Sequence, residues 1–336
     1  MNKTDNYLDK HRQGKIMKNK LVSILIPVYN RETFIEETVK SALNQTYANI
    51  EVIVVDNKST DNTLLVIEEL ALEDKRIKIY QNETNIGPVQ NWKRCVDEAR
   101  GEYGKILFSD DLMEPSFLEA TIDYLKDESI GFVFTGREIF QDNEQKTVLS
   151  YMAIAETGIY LSSKFINGVL FEKNYPNSPA CALFRLKDLQ ENLLIDIPNN
   201  INSDFAMHGI GPDLLIFLIT ASKYKKFAFI NKRLVRFRAH SESITIISKG
   251  SRLLLMYAIA KAFFIEKYLD GNTNILEKYN GQLQLLILQY ESRKFRINNI
   301  SDFYLKNKNY NFDKMVYLEY ALIVLKKIIK KLVGKK

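Results

Sequence analysis

Residues 21–27 read LVSILIP and residues 51–56 read EVIVVD, two short, β-rich apolar runs that each end in polar turn residues. Between them, Phe34, Ile35, Val39, Ala42 and Leu43 recur at helical spacing within residues 32–44. The alternation continues outward: residues 63–72 read as a helix, 76–80 (RIKIY) as a strand, 91–100 as a helix and 103–108 as a strand. Strands that alternate with helices of this length specify an α/β fold, a parallel sheet with crossover helices. Such sheets bind ligands at the carboxyl ends of their strands, where the strand order reverses. The polar residues just after each strand are therefore the candidates for chemistry.

After Asp111 the pattern changes. Residues 131–135 (GFVFT), 177–184 (NSPACALF), 226–230 and 234–237 read as extended, and residues 115–124 and 212–221 as helical. From Ser251 onward the periodicity is helical almost throughout, in 253–269, 275–293 and 314–333. The chain thus divides into a polar, basic extension (1–20), an α/β body (21–248) and a helical C-terminal region (249–336).

Composition narrows the class. With 336 residues, 46% hydrophobic and 26% charged, the chain has the material for a folded core, which excludes disordered and collagen-like classes. Cys95 and Cys181 stand far apart, so neither a disulfide framework nor a cysteine-based zinc site is expected. No apolar run approaches the roughly 18 residues of a membrane span, and residues 1–20 lack the apolar core of a signal peptide. A cytoplasmic protein is expected.

The net charge of +6 is unevenly spread: residues 326–336 carry +6, residues 1–20 carry +4, and the body between them carries −4. A nucleic-acid reader would place its positive charge across the folded body, so nucleic acid is not the expected partner. Met315, Leu318, Leu322, Leu325, Ile329 and Leu332 recur at helical spacing among the terminal lysines. That pattern suits a basic amphipathic helix lying on an anionic membrane surface. A packed last helix with a solvated lysine tail is the other reading.

Four constellations carry candidate chemistry. Asp56 ends the second strand, where a carboxylate can accept a hydrogen bond from a nucleobase or ribose; the following Ser-Thr-Asp-Asn-Thr segment reads as a helix cap. Asp110 and Asp111 follow the fourth strand, and two adjacent carboxylates need a positive neighbour, for which a divalent cation on phosphate oxygens is one solution. Helix capping is the other. Asp213, at the head of an apolar helix, is either an N-cap or a general base toward a hydroxyl. His240, after the strand VRFRA, is either a surface histidine or a ligand to metal or phosphate.

The ordered set resembles family-2 glycosyltransferases of the GT-A fold. It comprises SILIPVYNRETFIEETVKSALNQTY (23–47), EVIVVDNKSTDNT (51–63), NIGPVQNW (85–92), ARGEY (99–103), SDDLMEP (109–115), GPDLLIFL (211–218) and VRFRAH (235–240). The resemblance covers about residues 21–245 and implies a nucleotide-sugar donor, with a lean toward uridine, a divalent Mn2+ or Mg2+, and inversion at the anomeric carbon. It implies that Pro27, Tyr29, Asn30, Asp56, Asn91 and Asp110 bind the nucleotide sugar, that Asp111 and His240 hold the metal, and that Asp213 is the catalytic base. The implied acceptor is a hydroxyl of a surface glycan or lipid-linked precursor, reached at the inner face of the cell membrane.

Three positions depart from the family's pattern. Lys58 stands where the family often has glycine, Phe108-Ser109 precedes the paired aspartates in place of aspartate-serine, and Pro212-Asp213 replaces glutamate-aspartate. The last leaves a single carboxylate as base, with Asp204 as the alternative. Two other functions fit parts of the pattern: a nucleotidyltransferase, and a non-catalytic nucleotide-binding partner of another transferase. The first needs a glycine-rich basic loop after the first strand, and PVYNRE has neither feature. The second would tolerate loss of Asp213 and His240, and both are present.

Overall fold

Val22–Val28 (β1) and Ile50–Asp56 (β2) are buried at every residue, as expected of parallel strands covered on both faces. In the computed structural model, which describes residues 20–141, 146–172, 174–241 and 250–333, they pair in parallel with each other. Ile77–Gln81 (β3) adds in parallel beyond β2, and Tyr103–Ile106 (β4) beyond β1. The crossovers are Ile35–Leu43 (α1), Thr63–Glu73 (α2) and Pro88–Glu98 (α3). The third helix begins earlier than the sequence reading placed it, because Pro88 sits at its first turn, where a missing N–H costs nothing.

Beyond β4 the sheet becomes mixed. Leu112–Met113 (β5), Ile130–Gln141 (β6), Lys146–Tyr151 (β7), Gly158–Leu161 (β8), Ala182–Arg185 (β9) and Lys226–Ala239 (β10) complete ten strands. The main path runs β3-β2-β1-β4-β9-β6-β10-β5, with β7 on β6 and β8 on β10. β9 is antiparallel to both β4 and β6, so the parallel expectation holds for the first four strands and fails at the fifth position. The two extended runs expected at 226–230 and 234–237 form one strand whose register shifts between Ile230 and Arg233 and again before Val235. Bulges of this kind let one strand change direction without ending.

Phe117–Thr121 (α4), Ser162–Phe171 (α5), Leu186–Asn192 (α6), Phe205–His208 (α7) and Pro212–Lys223 (α8) flank the mixed half. Every residue of α8 from Pro212 to Ala221 is buried. Its Phe217 meets Phe132, Phe165 and Phe184 with ring centroids 5.1–5.3 Å apart. Pairs of this kind add about 0.5–1.5 kcal/mol each beyond area burial.

Ser251–Tyr268 (α9), Thr273–Gln289 (α10) and Met315–Val333 (α11) form the helical region. Leu255, Met256, Ile259 and Phe264 of α9 belong to the same core cluster as the sheet residues. The change from α/β to helical pattern is therefore a change along the chain and not a second core. α11 differs: Met315, Leu318, Leu322, Leu325 and Ile329 are all half exposed, and Val316 is buried. Among the described residues no helix is long and apolar enough to cross a membrane. The extension at residues 1–19 and the boundary at 248–249 lie outside the described residues.

Candidate active site

The loops that leave β1 and β2 are stitched together by short polar side chains. Asn30 takes a left-handed conformation (φ 51°), which asparagine tolerates better than most residues. Its N–H donates to Ser59 Oγ (2.9 Å), and its Oδ1 accepts from the Thr60 N–H (2.8 Å). Arg31 N–H donates to Thr63 Oγ1 (2.7 Å). Lys58, at the position where a glycine was the expected residue, keeps a left-handed backbone (φ 63°), so the turn is retained and the side chain bears the strain.

Asp56 is fully buried at the end of β2. Its carboxylate accepts from the Ser59 N–H (3.2 Å) and from Gln81 Nε2 (2.9 Å). Pro27 is buried in β1, whereas Tyr29 is 39% exposed at the mouth of the same strand end. Asn91 lies beneath that mouth: its Nδ2 donates to the Val55 carbonyl (3.0 Å), and its Oδ1 accepts from Asn82 Nδ2 (2.8 Å). Asn82 Nδ2 also donates to Asn57 Oδ1 (2.8 Å), which accepts the Ile86 N–H as well (3.0 Å). This buried amide network holds the ends of β1, β2 and β3 in place. Asn57 and Asn82 were not singled out in the sequence, where an asparagine after a strand reads only as a turn residue.

The paired aspartates point to different partners. Asp110 Oδ2 lies 2.8 Å from His240 Nε2 and 3.7 Å from Arg31 Nε. Asp111 is 7% exposed, and its Oδ1 accepts the Arg238 N–H (3.1 Å). Burial, together with the neighbouring Asp110 charge, pushes the Asp111 carboxyl well above the usual carboxylate range. Arg238 is the buried clamp of this corner. Its Nε donates to the Asp110 carbonyl (3.0 Å), its Nη2 pairs with Glu37, and its guanidinium lies 4.9 Å from the Phe34 ring and 4.7 Å from the Phe140 ring. Its alternation with Arg236 was visible in the sequence, and its burial was not. Lys105, wholly buried on β4, donates to the carbonyls of Ile106 and Ala180, and burial pulls it down to about 7.

A divalent cation meets a partial donor set here. Among the described residues no group of three or more histidine, cysteine and carboxylate side chains could hold a metal ion by itself. The corner brings the Asp110 carboxylate against the His240 imidazole, with Asp111 next in the chain and turned to the Arg238 N–H; oxygen and nitrogen donors of this kind suit manganese or magnesium. These residues fit a cation that completes its sphere with phosphate oxygens and water.

Asp213 occupies a separate station, at the head of α8. Gly211 precedes it with φ 117°, a conformation open to glycine. The turn brings the Gly211 N–H onto Asp213 Oδ1 (2.8 Å). An added Cβ at Gly211 would come within 3.0 Å of Ile197 Cδ1 and 3.1 Å of Ala260 Cβ, so the turn also needs the space. Asp213 Oδ2 accepts from Tyr257 Oη (2.7 Å) on α9. Burial raises the Asp213 carboxyl to about 6, and these donors oppose the rise. Tyr257 was not among the sequence candidates, because it belongs to a helical region without a recognisable motif. Asp204, the alternative carboxylate, is exposed and caps α7 by accepting the Met207 N–H (3.0 Å).

His208, the last residue of α7, is held neutral. Its Nδ1 accepts the Ile210 N–H (3.1 Å), Nε2 faces Ser203 Oγ (3.1 Å), and burial lowers it to about 4. Cys95 and Cys181 are free and buried, with the thiol of Cys181 pushed up to about 11, so neither is a nucleophile.

Several known proteins are similar to this chain. An uncharacterized glycosyltransferase of Rickettsia felis is 28% identical over 311 residues, covering 90% of this chain and 46% of that protein. The putative teichuronic acid biosynthesis glycosyltransferase TuaG of Bacillus subtilis is 35% identical over 116 residues, covering 34% of this chain and 46% of that one. The chain thus spans less than half the length of these relatives. The structure of S. aureus TarS 1–349 in complex with UDP-GlcNAc matches with a TM-score of 0.60 at 18% identity, over 82% of this chain and 74% of that chain, which shows a shared GT-A type fold. The model of the glycosyl transferase family 2 matches residues 23–193, just over half of the chain. The chain belongs to glycosyl transferase family 2.

Proposed function

We propose that the protein transfers a sugar from a nucleoside diphosphate sugar, UDP-linked by preference, to a hydroxyl of a surface glycan or lipid-linked precursor, with inversion. The observation that carries this reading is the contact between Asp110 and His240, 130 positions apart in the chain. It joins the end of β4 to the end of β10 beside the loops of β1 and β2. The Bacillus relative named for teichuronic acid biosynthesis and the UDP-GlcNAc bound to TarS support the choice of glycan acceptor and uridine donor.

In this reading Tyr29 and the Asn30 loop border the nucleotide, Pro27 and Asn91 shape the floor, and Asp56 receives the base. Asp111 and His240 would hold Mn2+ or Mg2+, with Asp110 hydrogen-bonded to His240. When bound there, a divalent cation would supply Lewis-acid neutralisation of the departing diphosphate. Asp213 takes the proton of the acceptor hydroxyl. As that O–H bond breaks, the oxygen forms its bond to the anomeric carbon, and the carbon–phosphate oxygen bond leaves with its electron pair on the nucleoside diphosphate. A carboxylate near neutrality is suited to this transfer, which contributes roughly 10²–10⁴-fold. Attack opposite the leaving group inverts the centre. A purely nucleotide-binding role is not favoured, since Asp213 is kept buried at a cost in desolvation that binding a nucleotide does not require.

Proton NMR of a reaction with UDP-GlcNAc tests both the activity and the stereochemistry. A β-linked product from the α-linked donor is expected; an α-linked product would remove the inverting mechanism, and no release of UDP in a screen of glycan acceptors would remove the transfer itself.

The same reading places the protein at the inner face of the membrane through α11. Its half-exposed Leu318, Leu322, Leu325 and Ile329 stand among lysines of a segment that carries +6. Deleting residues 326–336 should greatly reduce co-sedimentation with anionic liposomes; equal sedimentation of the two chains would remove the membrane role.

A further inference from the structure

We propose that Tyr257 is a positioning residue for the Asp213 carboxylate, so that helix α9 sets the orientation and proton affinity of the group that activates the acceptor. This rests on the reading of Asp213 as the base and deepens it by assigning the helical region a part in the site.

The geometry is specific. Tyr257 has one hydroxyl proton, and it lies 2.7 Å from Asp213 Oδ2. The Gly211 N–H holds the other oxygen at 2.8 Å. Two donors from separate elements, one on each oxygen, fix the plane of the carboxylate. They leave each oxygen a further lone pair with which to accept a proton. Because both donors favour the ionised form, they offset the burial that would otherwise keep the acid protonated.

Several charged side chains on the elements packed against α8 are engaged elsewhere. Lys261, one turn beyond Tyr257 on α9, donates to the Val169 carbonyl (2.7 Å). Lys164 of α5 lies over the Tyr160 ring, Asp188 of α6 accepts from Tyr224 Oη (3.0 Å), and Arg137 of β6 lies over the Tyr151 ring. At the end of α7, His208 is neutral and bonded to Ile210. The donors that act on Asp213 are therefore dipoles: Tyr257 and the N–H groups of Gly211, Leu214 and Asp213 itself. Of these, Tyr257 alone comes from outside the chain segment that carries the carboxylate. A shift of α9 relative to α8 would change this bond and no other donor to Asp213.

The test uses the full chain labelled with 15N-glycine. The Gly211 amide, bonded to Asp213 Oδ1, reports the carboxyl titration, and Asp213→Asn identifies the signal by abolishing its pH dependence. In the unsubstituted protein the midpoint should lie near 6. In Tyr257→Phe, which keeps the ring, it should rise by about one pH unit, as expected for loss of one hydrogen bond to the ionised form. An unchanged midpoint would overturn the proposal whatever the activity. Should the variant fail to fold, 13Cζ-tyrosine labelling of the unsubstituted chain decides: the Tyr257 signal must titrate with the Gly211 midpoint, and a signal indifferent to it overturns the pairing.

A second arm follows UDP release from UDP-GlcNAc against pH. The acid limb should move upward in Tyr257→Phe with the Gly211 midpoint, while the affinity for UDP stays as it was. If the midpoint moves and the acid limb does not, Asp213 is not the base, and the role of Tyr257 in the reaction falls with it. If no UDP is released by either protein, the transfer reading fails, and the NMR arm still decides whether α9 sets the proton affinity of Asp213.

Discussion

The strand-end half of the candidate site and the half around Asp213 are built in opposite ways. Pro27, Tyr29, Asn30, Asp56, Asp110 and Asp111 all lie within or just after strands of the parallel half, and neighbouring loops in the sheet hold them together. Asp213 instead depends on a glycine turn before it and a tyrosine 44 positions later, on a helix of a different region. Where a strand ends is written in local sequence; which helix will lie against a given carboxylate is a property of packing. The first half is therefore a site that sequence patterns can locate, and the second is one that they can only begin.

Removing α9 to α11 is the harshest way to test that difference. Leu255, Met256, Ile259 and Phe264 are each at most 1% exposed, and burial of such side chains is worth about 1.5–3 kcal/mol apiece. Their sum is comparable to the whole net stability of a typical domain, about 5–15 kcal/mol. A chain ending at Gly250 is expected to lose its near-ultraviolet circular dichroism and its cooperative thermal transition. A truncated chain with a native-like spectrum and a sharp transition would show that the strand-end half stands alone.

Asp213→Asn separates the two halves functionally. Transfer should fall by roughly 10²–10⁴-fold, while nucleoside diphosphate affinity, a property of the strand ends, remains. Near-normal turnover would remove Asp213 as base; lost affinity would mean that the two halves are not separable.

The pH dependence of stability gives a finer comparison. Burial raises the Asp213 carboxyl from 3.8 to about 6, so between these values the folded chain holds a proton that the unfolded chain has released. Stability contributed through this group must fall as pH rises across that window and level off above it. Urea unfolding at a series of pH values should show a shallower fall in this window for Asp213→Asn than for the unsubstituted chain. Parallel curves would mean that Asp213 titrates as an ordinary carboxylate.

The smallest effect belongs to the strand-end half. Lys58 holds a left-handed backbone at φ 63°, and Lys58→Gly should relieve that conformation. The gain is expected to be at most about 1 kcal/mol, since glycine also has more entropy to lose on folding. A measurable loss of stability in urea would show that the lysine side chain supports the loop.

Much of the architecture could be read from residues 21–111, because alternating strands and helices leave a local periodicity, and buried parallel strands leave uninterrupted apolar runs. The mixed half was harder. β6 extends through Gly136–Gln141 as an ordinary-looking polar stretch (GREIFQ), and its pairing with β10 depends on residues nearly a hundred positions later, Arg233 and Val235 to Ala239. The short β5 at Leu112–Met113 owes its existence to β10 and has too few residues to show a period. The site followed the same division. Asp110, Asp111 and His240 were visible as residue types in suggestive places, yet their partners were not: Arg238 looked like one of two alternating strand arginines, and Tyr257 like one more aromatic residue on a helix.

Calorimetric titration of UDP, GDP, CDP and dTDP, each with and without Mn2+, tests the central claim most directly, with the unsubstituted chain and Asp111→Ala compared side by side. The account predicts that UDP binds, that Mn2+ strengthens the binding, and that Asp111→Ala removes the metal-dependent part. Failure of all four nucleotides to bind with or without metal, or binding that ignores both Mn2+ and Asp111, would contradict it.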